Sequence, residues 1–260
     1  MSKRFFAFGC SFTNYSWPTW ADIIAKIGDY EEYQNWGISG MGNLGIACRV
    51  AEADARYHFN KNDTVYIMWS NVAREDRFTN IGWKCPGNIF TQAIYPPEWV
   101  EKYVDIDGCY IRDLAQIHNV VGLLESKECK YKMSSMIDID TFDQYNFYQN
   151  SRDLSSTRSN NMLDVYQETL SKLKPSVYNI IFNYNWNSRP WPFANCHSRP
   201  DHHPLPIEHL EFVQKVFPEY SITEDIYNMY NNLSKEIAAE RCRNPDSKKR
   251  WIEHEYKGFC

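Results

Sequence analysis

Over its first third the chain alternates short apolar runs with stripes of helical period. Residues 4–8 (Arg-Phe-Phe-Ala-Phe) form an aromatic run that stops at Gly9, the pattern of a strand buried on both faces. Ser16 offers a helix N-cap and Pro18 suits a first turn. Trp20, Ile23, Ile24 and Ile27 follow at the spacing of one helix face. A second strand is expected over 32–36, ahead of the glycine-rich turn 37–43, and a second helix over 44–57. A polar turn at 60–63 leads into Thr-Val-Tyr-Ile-Met-Trp (64–69), a run of β-formers that reads as a central parallel strand. Strand, helix, strand, helix, strand in this order predicts an α/β fold, a three-layer α/β/α sandwich with a central, mainly parallel sheet.

Beyond residue 75 the pattern weakens. Residues 78–97 hold Gly, Pro and aromatics without a period and read as a long ordered loop. Helix is expected over 111–124 and 162–173, a strand over 130–139, and a polar loop or lid over 140–161; residues 177–184 fit strand or helix. A helix over 206–217 carries Ile207, Leu210, Val213 and Phe217. The last helix opens with a capping box from Ser221 to Glu224. A single domain over 1–260 accounts for the whole, with 78–195 inserted as a partial lid or subdomain.

The formal charge of -5 gives no general basic field, which argues against a nucleic-acid partner; Lys248, Lys249 and Arg250 read as a solvated tail. Eight cysteines are scattered without a Cys-x-x-Cys pair, the usage of a reduced, cytoplasmic chain. The apolar run after Lys3 and Arg4 is too short for a signal peptide, and no stretch reaches the roughly 20 apolar residues of a membrane span. Aromatics make up 16% of the chain, which suits surfaces that stack on sugars and suits bulky core filling equally.

In open α/β sheets, ligands sit beyond the carboxyl ends of the strands. Three polar features fall there: Ser11 after the first strand, the Gly40 turn after the second, and Asn71 after the third. They offer an attacking hydroxyl, a backbone N–H and a carboxamide donor, the parts needed to attack an acyl carbonyl and hold the resulting oxyanion. A base is available at Asp201-His202-His203-Pro204.

In these segments the sequence resembles the SGNH, or GDSL-like, hydrolases, whose four blocks have counterparts in the right order across nearly the whole chain. Gly9-Cys10-Ser11-Phe12-Thr13 is similar to the first block, residues 35–40 (Asn-Trp-Gly-Ile-Ser-Gly) to the second, Trp69-Ser70-Asn71 to the third, and Asp201 through Pro204 to the last. The resemblance implies Ser11 as nucleophile and His203 as base, with Asp201 orienting the imidazole. It implies an oxyanion hole from the N–H groups of Ser11 and Gly40 and the Asn71 carboxamide, and no cofactor. The expected partner is a small-molecule or carbohydrate ester, with an O-acetylated sugar as the first candidate, as hydrolysis substrate or acyl donor. Three positions depart from the family pattern. Cys10 stands where an Asp is usual, and the third block lacks its Gly and second Asp. One residue rather than two separates Asp201 from His203. Arg74, Arg189 and Arg199 are candidates to bind an acidic substrate.

Other readings use the same residues. Ser11 could be a turn serine and Gly40 could supply a positive φ. Cys10, a thiol beside the hydroxyl, is a rival nucleophile. Cys196, His197, Asp201, His202, His203 and His209 crowd fourteen residues with zinc-ligand chemistry, which would make a metal-dependent hydrolase. The aromatic segments 83–99 and 184–193 would serve a non-catalytic carbohydrate-binding or structural protein on the same fold.

Overall fold

A computed structural model of the protein describes residues 3–90, 95–139, 156–183, 203–244, 246–255 and 257–259. The first part runs β1 (Arg4–Phe8), α1 (Trp20–Ile27), β2 (Glu32–Asn35), α2 (Asn43–Tyr57) and β3 (Thr64–Trp69). A hairpin follows, β4 (Arg74–Thr79) and β5 (Gly82–Asn88), then α3 (Pro97–Tyr103), α4 (Ile106–Ser126) and β6 (Lys130–Ser135). The chain continues as α5 (Ser156–Val165), α6 (Gln167–Leu170), α7 (Val177–Phe182), α8 (Pro206–Val216) and α9 (Glu224–Arg243).

Among the described residues the central sheet has four strands, all parallel, in the order β2-β1-β3-β6. Its middle strands are apolar on both faces, and their alternation divides the core in two. Phe6, Phe8, Val65, Ile67 and Trp69 join residues of α2 and α4 on one face. Phe5, Ala7, Tyr66 and Met68 join α1, α7 and α8 on the other. Each fully buried Phe is worth about 1.5–3 kcal/mol of transfer free energy. At the opposite end of the sheet from the candidate site, Arg4 clamps the wholly buried Asp63 through two 2.7 Å hydrogen bonds.

Several expectations need correcting. The first helix begins at Trp20 with Thr19 as N-cap, not at Ser16, because the Asp22 carboxylate reaches back to the Thr19 N–H (2.8 Å). The last helix is capped by Thr223, whose hydroxyl accepts from Ile226, rather than by Ser221. Residues 177–182 are helical, started by Ser176, which accepts from the Asn179 N–H.

The expected loop over 78–97 contains much of the β4–β5 hairpin, held by the edge-on pair Phe78–Trp83 at 5.4 Å. A register shift between Glu75 and Arg77 marks a bulge at Asp76, whose side chain is buried between half-buried Glu75 and exposed Arg77. Among the described residues five cysteines are free thiols and Cys242 on α9 is disulfide-bonded, where the cysteine spacing suggested a reduced chain. No helix among the described residues is long and apolar enough to cross a membrane.

Candidate functional site

Strand order sets where a site can form. From β1 the chain moves outward to β2 and then returns past β1 to β3, so β1 and β3 are neighbours whose connections leave in opposite directions. The crevice at their carboxyl ends is the topological switch point of the sheet. Ser11 follows β1 and Asn71 follows β3, both nearly buried.

Ser11 lies in a tight turn in which Thr13 and Asn14 donate to the Cys10 carbonyl (2.9 and 3.1 Å). Gly9 permits this turn, since a Cβ there would meet the Thr13 hydroxyl at 2.1 Å and the Met68 carbonyl at 2.9 Å. The turn is laced to the strand beside it. Asn35 donates to the Thr13 carbonyl (2.8 Å) and accepts from the Gly37 N–H (3.0 Å), and Asn14 donates to the Gly37 carbonyl (3.0 Å). Cys10, by contrast, is fully buried in the α1/α8 core, its Sγ 3.9 Å from Met136 Sδ. Core burial takes that thiol away from water, as expected of an inert cysteine.

Gly40 sits at φ +80°, and a Cβ would meet the Cys85 carbonyl at 2.3 Å, so the hairpin closes down on this turn. The bulged Asp76 fastens it further along. Its carboxylate accepts from the N–H groups of Gly42 (2.7 Å), the N-cap of α2, and Gly45 (2.8 Å) in its first turn. Arg74, the candidate anion binder, is half-buried and donates to the Met41 carbonyl (3.0 Å), so it ties the same turn to β4.

Asn71 accepts from the Ala73 N–H through Oδ1 (2.7 Å), which leaves the NH2 end of this buried carboxamide as its donor. The residue before it is clamped by Asn43. Asn43 Oδ1 accepts from the Ser70 N–H (2.6 Å), and its Nδ2 donates to the Ser70 carbonyl (3.2 Å) and to Asp113 on α4 (2.8 Å). Arg112 completes the brace, bonding Asp113 and Glu75 and donating to the carbonyls of Val72 (3.1 Å) and Arg74 (2.9 Å).

Burial pushes the Asp113 carboxyl up to about 6, against the pull of Arg112 and Asn43. Because this lies above the roughly 3.9 of an unfolded Asp, the group's contribution to stability is complete below about pH 4 and is lost as pH rises through about 6. Wild type should therefore lose stability relative to Asp113→Asn between pH 4.5 and 7.5. Urea unfolding of both proteins at the two pH values measures this, and a difference that stays level or moves the other way contradicts it.

His203 is half-buried just before α8. Its ring lies on the turn that carries Ser11, stacked on Tyr15 at 3.8 Å and 15° and tilted against Phe12 at 5.3 Å. Trp17 holds the two segments together, its indole N–H donating to the Pro204 carbonyl (2.8 Å). Asp201, His202, Cys196, His197, Arg189 and Arg199 lie outside the described residues. His209 is buried on α8, and no cluster of three metal-ligating side chains occurs among the described residues.

Sequence reasoning missed the supports of this site, Asn43, Asp76, Asp113, Arg112 and Tyr15. It also missed a cavity of about 350 Å³ lined by Cys48, Glu52, Phe78, Trp83 and Phe259. Of the aromatic residues over 83–99, Trp83, Phe90, Tyr95 and Trp99 pack against the α2/α4 core.

No protein-family model and no curated protein matches the sequence. Among solved structures the chain is similar to the psychrotrophic esterase EstA from Pseudoalteromonas sp., at TM-score 0.44 and 10% identity over 84% of this chain and 97% of that one. It is also similar to a putative acylhydrolase from Bacteroides fragilis (TM-score 0.37, 14% identity, 93% and 88% covered). A GDSL-like lipase from Bacteroides thetaiotaomicron is comparable (TM-score 0.37, 13% identity, 92% and 88% covered). At these TM-scores they are likenesses only, and the functional reading below rests on the chain's own residues.

Proposed function

We propose that the protein is a serine esterase of the SGNH class, with Ser11 as nucleophile and His203 as base. The observation that supports this best is the packing of the His203 ring against Phe12, next to Ser11 on its turn, and against Tyr15 just beyond that turn, with His203 lying 192 residues from Ser11 in sequence. In this reading His203 takes the proton from Ser11 Oγ as that oxygen bonds to the ester carbonyl carbon. The N–H groups of Ser11 and Gly40 and the Asn71 carboxamide receive the oxyanion. His203 then protonates the departing alcohol, leaving the acyl group on Ser11. A water deprotonated by His203 releases the acid; a sugar hydroxyl in its place would make the same residues a transferase. Asp201 orients the imidazole, and the steps require no metal or cofactor.

A small O-acyl ester, with acetyl on a carbohydrate as the first candidate, is the proposed substrate. Arg74 and Arg199 are the candidate contacts for an acidic group on it, and neither nucleic acid nor membrane is a proposed partner. Initial rates on p-nitrophenyl acetate, p-nitrophenyl butyrate and acetylated xylo-oligosaccharides test the reading. Turnover that survives a chelator, fastest on acetyl esters, supports it. Folded protein that hydrolyses none of the three sinks it, and loss of activity to the chelator favours the metal chemistry of residues 196–209 instead.

A further inference from the structure

We propose that Tyr15 is the positioning residue for His203: its ring face fixes the imidazole against the Ser11 turn and stabilises the positive charge the imidazole gains on taking the serine proton. This rests on the esterase reading above and extends it to a residue outside the four blocks.

The geometry carries the argument. The two rings are near parallel, 15° apart with centroids at 3.8 Å, which is contact distance between flat faces. Tyr15 is itself held edge-on by Trp17, at 4.5 Å and 82°. Trp17 is fully buried and bonds the carbonyl of Pro204, the residue after His203. One indole thus braces both members of the stack, touching the Tyr15 ring and anchoring the backbone beside the imidazole. Leu205 and Ile237 pack into the same small core. A face-on tyrosine restricts the side-chain rotations of His203. It also presents the negative face of its π system to an imidazolium, an attraction that neutral imidazole lacks. That difference favours the charge-separated transition state over the resting enzyme.

Among the described residues, the ionisable groups nearest the stack along the elements around it include Cys10 on the turn, Glu208 and His209 at the start of α8, and Arg241 on α9. Lys249 and His254 follow on the C-terminal segment. Glu208 accepts from the Leu205 N–H (2.6 Å) at the start of α8, and Arg241 lies over Trp17 (5.5 Å).

The test is a titration of His203 by NMR in protein with isotope-labelled histidine, the signal being assigned by its absence in His203→Gln, with ester kinetics alongside. Tyr15→Phe keeps the ring face and is expected to keep both the pKa and kcat. Tyr15→Leu is expected to lower the His203 pKa by about half a unit to one unit and kcat by about threefold to thirtyfold, with KM unchanged. Pentafluorophenylalanine placed at position 15 retains the shape but not the negative face, and should behave as Leu does. It decides the matter even if Tyr15→Leu fails to fold. A fluorinated variant that titrates and turns over like wild type overturns the proposal. Wild type without esterase activity overturns the reading on which it rests, and the titration, which needs no substrate, separates that failure from this one.

Discussion

Ser11→Ala is expected to lower kcat on a p-nitrophenyl ester by about 10⁴-fold or more while leaving the fold intact. The change removes one oxygen from a turn whose shape is set by backbone bonds to the Cys10 carbonyl and by Asn35, none of which involves the Ser11 hydroxyl. His203→Ala should cost a similar factor, and the double variant no more than either alone, because a nucleophile without its base and a base without its nucleophile are equally idle. Cys10→Ala should retain activity, since that thiol faces Met136 in the core. Steady-state rates with matched thermal midpoints check all four. Losses that add in the double variant, or a Cys10→Ala protein that is the inactive one, contradict the assignment.

The second large effect is at Asn71, where two substitutions separate structure from chemistry. Asn71→Ala removes both the proposed oxyanion donor and the acceptor that holds the Ala73 N–H, so it disturbs the turn as well as the site. Asn71→Asp keeps an oxygen for the Ala73 N–H and replaces the donor by a second acceptor bearing charge. The turn should survive while kcat falls by about 10²–10³-fold, the usual cost of one lost oxyanion donor, with little change in KM. An Asn71→Asp enzyme with nearly wild-type kcat would remove Asn71 from the oxyanion hole.

Why some of this was legible in the sequence and some was not follows from how each part is held. The strands 4–8 and 64–69 could be read to the residue because central parallel strands, covered on both faces, appear as unbroken apolar runs. The candidate site residues Ser11, Gly40 and Asn71 could be picked out because strand ends in such sheets are where polar turns gather. The hairpin could not. Its period is broken by the bulge at Asp76 and by Pro86, and it is stabilised by contact with the Gly40 turn and α2 rather than by its own alternation. The same holds for the supports of the site. Asn43 reaches Asp113 across 70 residues and Asp76 reaches Gly42 across 34, through side chains whose direction only the assembled fold decides. Tyr15 carries no signal of its own in the sequence, because only the assembled fold brings His203 onto its face.

The central claim, that Ser11 is an activated nucleophile served by His203, is tested most directly by a fluorophosphonate probe followed by peptide mass spectrometry. The account expects one adduct per chain, on Ser11, forming at a rate that collapses in His203→Ala. An adduct on Cys10 or on another serine, or no adduct on folded wild type, would contradict it.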